Sequence, residues 1–381
     1  MSTPTLTLTQ LAGQPGMPLL VVGPSLGTGV ASLWNAAAVM LGDDFHVVGW
    51  DLPGHGSSTP ATDSFALADL AAGVVAAVDA ALGAVPFRYA GDSLGGAVGL
   101  HLALDHADRV SSVVPICTLA KLGTAEAWHE RAAFVRASGT AAMVAGSSQR
   151  WFAPGFLDRS PEAGGALLRE LVDVDDESYA KCCEALAAYD VTDRLGEISV
   201  PILGVAGGHD QVAAPEAFRA HLVRIPGARF VVLDTAGHLA PVEAPAAVAS
   251  LLIDDVRGPA MAVRRAVLGD AHVDRASAGI TDVTRDYQDL ITRHAWHDIW
   301  TRPGLARRDR SIAVLTALIA GRHFEELEFH IPAALRNGLT KQEIVEVILQ
   351  SAIYVGVPAA NSAFVVAKQV LGDADLNAPG E

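Results

Sequence analysis

Residues 87–106 read FRYAGDSLGGAVGLHLALDH. A strand-like FRYA runs into GDSLGG, and a helix-like stretch of small and apolar residues follows. Gly91 and Gly95 flank Ser93, so the chain can turn too tightly for side chains and lift the Ser93 hydroxyl clear of the backbone. Outward from this point, PLLVVG (18–23) and FHVVGW (45–50) are apolar runs suited to a buried parallel strand. Residues 66–82 and 94–107 carry helical spacing. Strand signals return in PILGVAGGHD (201–210) and ARFVVLDTAGH (228–238), with a helix expected near 242–256. This alternation predicts a mainly parallel sheet with helices on both faces. Residues 121–190 break it: they are helical, with Trp128, Trp151 and Tyr179, and read as a cap inserted into an α/β core.

Serine is a weak nucleophile and needs a base oriented by an acid. Asp210 ends GGHD after one strand, and His238 lies in the loop after the next, in TAGHLAP. The chain order Ser93, Asp210, His238 is that of α/β-hydrolases. After the first buried strand, GPSLGTG offers the backbone N–H of Leu26, which with that of Leu94 forms a candidate oxyanion hole. A lone GxSxG is a weak signal; three residues in order at strand ends are a strong one.

Composition bounds the rest. A chain of 381 residues points to two domains. Half the residues are hydrophobic and the formal net charge is −16, which argues against non-specific binding to nucleic acid or an anionic membrane. An anionic substrate would then need local arginines to hold it. No apolar run approaches the roughly 18 residues of a membrane span, and MSTPTLTLTQ lacks the features of a signal peptide. The three cysteines, Cys117, Cys182 and Cys183, show no metal-ligand spacing and suit a reducing cytoplasm. No cofactor motif or metal site is expected.

Near Arg257-Gly258-Pro259 the character changes to all-helical, with breaks expected at Pro303-Gly304, Asn337-Gly338 and Val357-Pro358. The expected domains are 1–257 and 258–381, joined by a short linker. In the second, RHFEELEFHIPAALRNG (322–338) places His323, Glu326 and His330 at helical spacing, on one face. A solvated polar face is the bland alternative. One helix supplies too few ligands for a metal.

The stretches GPSLGT, GWDLPGHG, GDSLGG, KLGTAEAWHERAAFVRASG, RWFAP, YAKCCEALAAYD and GHDQVAAPE resemble the 3-oxoadipate enol-lactonases of the α/β-hydrolase superfamily over residues 1–257. The resemblance implies that Trp128 faces the active site and makes Arg131 and Arg150 candidates for a substrate carboxylate; a solvated charge is the alternative for either. VLGDAHVDRA, DYQDLITRHAWHDIWTRPGLARRDRS and ALRNGLTKQEIVEVILQSAIYVGVPAANSAF resemble the 4-carboxymuconolactone decarboxylases over 262–372. That family shares its all-α fold with AhpD-type peroxidases, whose cysteine positions fall here on His323 and Glu326. No cysteine follows Cys183, so thiol chemistry is excluded for this half.

Cofactor-free decarboxylation needs an electron sink, an oxyanion donor and an acid for carbon. His330 and Glu326 are the candidate proton-transfer pair and His323 the oxyanion donor, with Arg308 or Arg310 for substrate carboxylates. Pro332 falls inside the expected helix and removes an N–H there. The expectation is thus a bifunctional, cofactor-free enzyme acting on small lactones, homo-oligomeric through its second half. Its rival is an esterase attached to an inert oligomerisation module.

Overall fold

The computed structural model describes residues 3–281, 283–302 and 304–372. By contacts it divides into two compact units, Met1–Ile253 and Asp254–Glu381.

The first unit is built on strands β1 (Leu8–Ala12), β2 (Leu19–Gly23), β3 (His46–Trp50), β4 (Phe87–Asp92), β5 (Val110–Ile116), β6 (Leu203–Gly207) and β7 (Arg229–Leu233). They form one sheet in the order β1-β3-β2-β4-β5-β6-β7. β1 lies antiparallel to β3 at one edge, and the remaining pairings are parallel. Every residue of β2, β3 and β6 is buried, as continuous apolar runs require when helices cover both faces. The half-buried β1, LTQLA, lacks such a run, and the sequence gives no sign of it.

The cap is helical throughout, with its main helices at Ala125–Ser138, Val144–Trp151, Pro161–Asp173 and Asp176–Ala187. Thr124 and Asp175 cap the first and last of these by accepting from Ala127 N and Ser178 N. The Glu170 carboxylate ties the cap to the core by accepting from Gly29 N at 2.8 Å and from the Ser32 hydroxyl.

In the second unit, helices Arg307–Gly321, Phe324–Arg336, Lys341–Val355 and Val357–Leu371 share a core that includes Leu315, Ile319, Leu327, Ile331, Ile344, Ile348 and Ala363. A second cluster packs Val267, Leu268, Val273 and Trp296 against Ala333, with Phe329 at its margin. Helix Phe324–Arg336 faces both: Leu327, Ile331 and Ala334 enter the first cluster, whereas Ala333 and Phe329 meet the second. His330 therefore lies on the side turned to the second cluster.

Two expectations need correction. Arg257-Gly258-Pro259 reads as a linker, but helix Pro245–Leu268 runs through it. Buried residues at helical spacing on either side, Val248 and Leu252 before and Ala260 and Val267 after, outweigh the weak helix propensity of the glycine and proline. His323 is expected on the face of Glu326 and His330, but it precedes the helix as its N-cap residue, after Arg322 in the left-handed conformation (φ 59°). The break expected at Asn337-Gly338 is found where helix Phe324–Arg336 ends, and Gly356 separates the last two helices one residue before Val357-Pro358. At Pro303-Gly304, Pro303 lies outside the described residues.

Candidate active site

Ser93 follows β4 directly and opens helix Leu94–Asp105, with φ 52° and ψ −113°. Positive φ in a non-glycine residue costs energy and marks a functional turn. The flanking glycines are forced by space: a Cβ on Gly91 would lie 2.2 Å from Gly95 O, and one on Gly95 would lie 2.6 Å from Pro24 O. The buried Tyr89 hydroxyl donates to Gly95 O at 2.8 Å and braces the turn from below.

Three loops at the C-terminal ends of β4, β6 and β7 bring Ser93, Asp210 and His238 together. His238 Nε2 lies 2.9 Å from Ser93 Oγ, and its Nδ1 lies 3.0 and 2.9 Å from the two Asp210 oxygens. Asp210 Oδ1 also accepts from Val212 N at 2.7 Å and Ala213 N at 3.0 Å. Burial disfavours the Asp210 carboxylate, but His238 and these backbone donors outweigh it and hold Asp210 below the ordinary range. Leu94 N–H is at the first turn of its helix, and Leu26 lies in the loop after β2; neither donates to an acceptor among the described residues. Both N–H groups are open for an incoming oxyanion.

Glu243 carries no motif, and His55 stands in DLPGHG without a role that the sequence reveals. Glu243 accepts from Gly237 N at 2.9 Å and from Ala153 N of the cap at 2.7 Å, and His238 N donates to Trp151 O at 2.9 Å. The histidine loop is thereby stitched to the cap. His55 stacks on Tyr179 with ring centres 6.2 Å apart, and burial pushes its imidazole down to about 4. Asp92, directly before Ser93 in GDSLGG, is fully buried, with no hydrogen-bond partner on either oxygen among the described residues; burial, then Asp210 and Glu243, push it well up.

The cap supplies cations. The Arg131 guanidinium lies 5.4 Å from the ring centres of both Trp128 and Tyr179 and donates to the Tyr179 hydroxyl. Tyr179 in turn sits against Gly27, beside Leu26, where a Cβ would approach its ring to 3.4 Å. Arg150 is pushed down by partial burial and by the charge of Arg131, and neither arginine has an acidic partner among the described residues.

In the second unit, His330 is half-buried, whereas Glu326 and His323 are exposed. Burial, then the charge of His272, push the His330 imidazole down to about 4, against an opposing pull from Glu326 one helical turn away. The structure does not bring His323 to this pair: its ring packs over Gly321, before the helix begins. Arg308 is engaged with Asp309 at 3.0 Å and with Glu343 of the next helix but one. Arg310 donates to Arg302 O at 2.8 Å.

Residues 18–245 match the family model for the alpha/beta hydrolase fold, and residues 285–369 match that of the carboxymuconolactone decarboxylase family. Over 235 residues the chain is 35% identical to 3-oxoadipate enol-lactonase 2 of Acinetobacter baylyi, covering 62% of this chain and 87% of that protein. Over a further 111 residues it is 41% identical to 4-carboxymuconolactone decarboxylase of the same organism, covering 29% of this chain and 83% of that protein. The chain belongs to both families. Among solved structures, the enol-lactonase from Burkholderia xenovorans superimposes with a TM-score of 0.62 at 32% identity, covering 66% of this chain and 95% of the other.

Proposed function

We propose that this chain is a bifunctional enzyme: its second unit decarboxylates 4-carboxymuconolactone to 3-oxoadipate enol-lactone, and its first unit hydrolyses the enol-lactone to 3-oxoadipate. The observation that carries the reading is the pairing, in one chain, of two families whose named relatives act on successive compounds, with a connected Ser93–His238–Asp210 array in the first unit.

For hydrolysis, Ser93 Oγ attacks the lactone carbonyl while His238 Nε2 takes its proton. The oxyanion meets the N–H groups of Leu26 and Leu94. The ring C–O bond breaks to release an enolate, which protonation converts to the ketone. A water activated by His238 then frees the acid. Trp128 forms a wall of the pocket, and Arg131 with Arg150 attracts the carboxylate.

For decarboxylation, the C–C bond to the reacting carboxylate breaks and CO2 leaves. Its electron pair moves through the unsaturated ring to the lactone carbonyl, giving a dienolate that one proton on carbon converts to the enol-lactone. With its pKa near 4, His330 is a neutral imidazole at pH 7, and its N–H serves as hydrogen-bond donor to the forming oxyanion. The exposed Glu326 relays the proton from solvent. His323, outside the helix, has no step in this scheme.

The domains are the two compact units, joined within helix Pro245–Leu268. Homo-oligomerisation through the second unit is supported by exposed apolar side chains on its last two helices, with Ile353 and Tyr354 each 80% exposed. Ile353→Asp should lower the mass measured by light scattering; an unchanged mass would remove this interface. Among the described residues, no helix is long and apolar enough to cross a membrane.

The chemistry is tested by giving full-length variants 4-carboxymuconolactone. Ser93→Ala should release CO2 and accumulate enol-lactone, whereas His330→Ala should leave the starting lactone intact. Formation of 3-oxoadipate by Ser93→Ala at the wild-type rate would refute the hydrolytic assignment.

A further inference from the structure

A cavity of about 280 Å³ opens beside helix Phe324–Arg336, lined by His272, Arg275 and Arg336 together with Phe329, Pro332 and the turn at Leu268–Ala271. That volume is close to the lower bound of about 300 Å³ for small-molecule sites. Its rings are contiguous: His272 lies 4.4 Å from Phe329 by ring centres, and Phe329 lies 4.8 Å from His330. Pro332, which helix Phe324–Arg336 accommodates without a break, forms part of the wall.

The charges around this cavity are unbalanced. Arg275 is exposed and has no ion-pair partner among the described residues. Among the described residues, Arg336 donates only to the backbone carbonyls of Val267 and Leu268. Arg264, 6% exposed, donates to Gln288 Oε1 at 3.1 Å, and its Nε has no partner. Asp270, the acid at the rim, is turned to Arg265 at 3.2 Å. Burial, then the charges of Arg264, Arg275 and Arg336, hold the His272 imidazole below its ordinary value. Two arginines thus line the cavity with His272, and the charge of Arg264 also reaches that ring, in a protein whose net charge is −16. Cations held together without a counter-ion repel one another, and an anion placed among them relieves that cost.

We propose that Arg275, Arg336 and His272, with Arg264 behind them, form a carboxylate subsite beside His330 that holds the substrate carboxylate which survives decarboxylation. The proposal rests on the decarboxylase reading of this unit. The choice of carboxylate follows from the chemistry. Hydrolysis of the enol-lactone yields a diacid, so the enol-lactone already carries one carboxylate and its precursor carries two. In the reaction, charge leaves the departing carboxylate for the ring. An arginine paired to the departing group would stabilise the starting state more than the transition state and slow the step. Cations on the surviving carboxylate bind both states equally. They anchor the ring with its reacting face toward Phe329 and His330, where the apolar surface favours loss of charge from the departing group.

The test uses the full chain carrying Arg275→Ala or, separately, Arg336→Ala. Hydrolysis of enol-lactone by the first unit serves as the control for folding. KM for decarboxylation should rise about ten- to a hundredfold, the factor expected for a lost hydrogen bond to a charged group, with kcat nearly unchanged. An unchanged KM, or a fall in kcat alone, would overturn the subsite while leaving the decarboxylase reading intact. A wild-type protein that releases no CO2 would instead sink the decarboxylase reading. The subsite is then judged by a probe that needs no turnover. At constant ionic strength succinate should move the His272 imidazole resonance, assigned with His272→Gln, in the wild type and not in Arg275→Ala. A resonance that responds equally to succinate and chloride refutes the proposal. Arg275 is exposed and unpaired, so its variant keeps the test open should Arg336→Ala unfold the turn at Leu268.

Discussion

Replacing Asp210 by asparagine tests the hydrolytic array through an asymmetry in its hydrogen bonds. Asp210 Oδ1 accepts from Val212 N and Ala213 N and lies 3.0 Å from His238 Nδ1, whereas Oδ2, 2.9 Å from the same nitrogen, has no other donor among the described residues. In Asp210→Asn the two backbone donors will hold the new amide oxygen at the Oδ1 position. The amide NH2 then takes the shorter contact to His238 Nδ1, which favours an acceptor at Nδ1 and moves the ring proton to Nε2. In that tautomer His238 cannot take the Ser93 proton across the 2.9 Å contact. The expected loss in kcat for enol-lactone hydrolysis is about 10⁴-fold, or about 5 kcal/mol in barrier height. Decarboxylation by the same protein should continue at the wild-type rate, which shows that the chain is folded. The assay follows loss of enol-lactone and release of CO2 in parallel. Hydrolysis by Asp210→Asn within tenfold of wild type would refute the tautomer argument.

Gly91→Ala should abolish hydrolysis and destabilise the protein, because the new methyl would meet Gly95 O at 2.2 Å and backbone cannot yield as a flexible side chain can; a melting temperature equal to wild type would contradict this. His55 titrates near 4 when folded against an ordinary 6.5, so the unfolded chain binds the extra proton first. Its contribution is full above pH 6.5 and is lost as pH falls toward 4, at up to about 1.4 kcal/mol per pH unit. His55→Asn should flatten the acid limb of stability, measured by denaturant titration, and an unchanged limb would remove His55 from it. Arg131→Gln should raise KM for enol-lactone with less effect on kcat, and steady-state kinetics showing only a kcat loss would argue against a carboxylate contact.

The sequence reveals most where a local rule leaves no alternative. The turn at Ser93 admits only glycine at 91 and 95, so its motif marks both fold and nucleophile. Buried strands such as β2 and β6 show as apolar runs, whereas the edge strand β1 is half-exposed and carries no such mark. What stayed hidden depends on partners remote in sequence. Glu243 matters because it joins Gly237 to Ala153, and no spacing foretells that contact. His272 lies 58 residues from His330, and only the packing of its ring on Phe329 relates them. Arg308 looks available in sequence, but Glu343, which also closes the cap of its own helix, occupies it. His323 keeps its spacing to Glu326 and His330 yet falls outside the helix, because the chain turns through a left-handed Arg322 just before it.

The central claim is that both reactions are carried out by one chain. Purified full-length protein given 4-carboxymuconolactone alone should release one CO2 and form one 3-oxoadipate per lactone consumed, with both measured in the same vessel. CO2 without 3-oxoadipate, or hydrolysis of supplied enol-lactone without any CO2 from the carboxylated lactone, would contradict it.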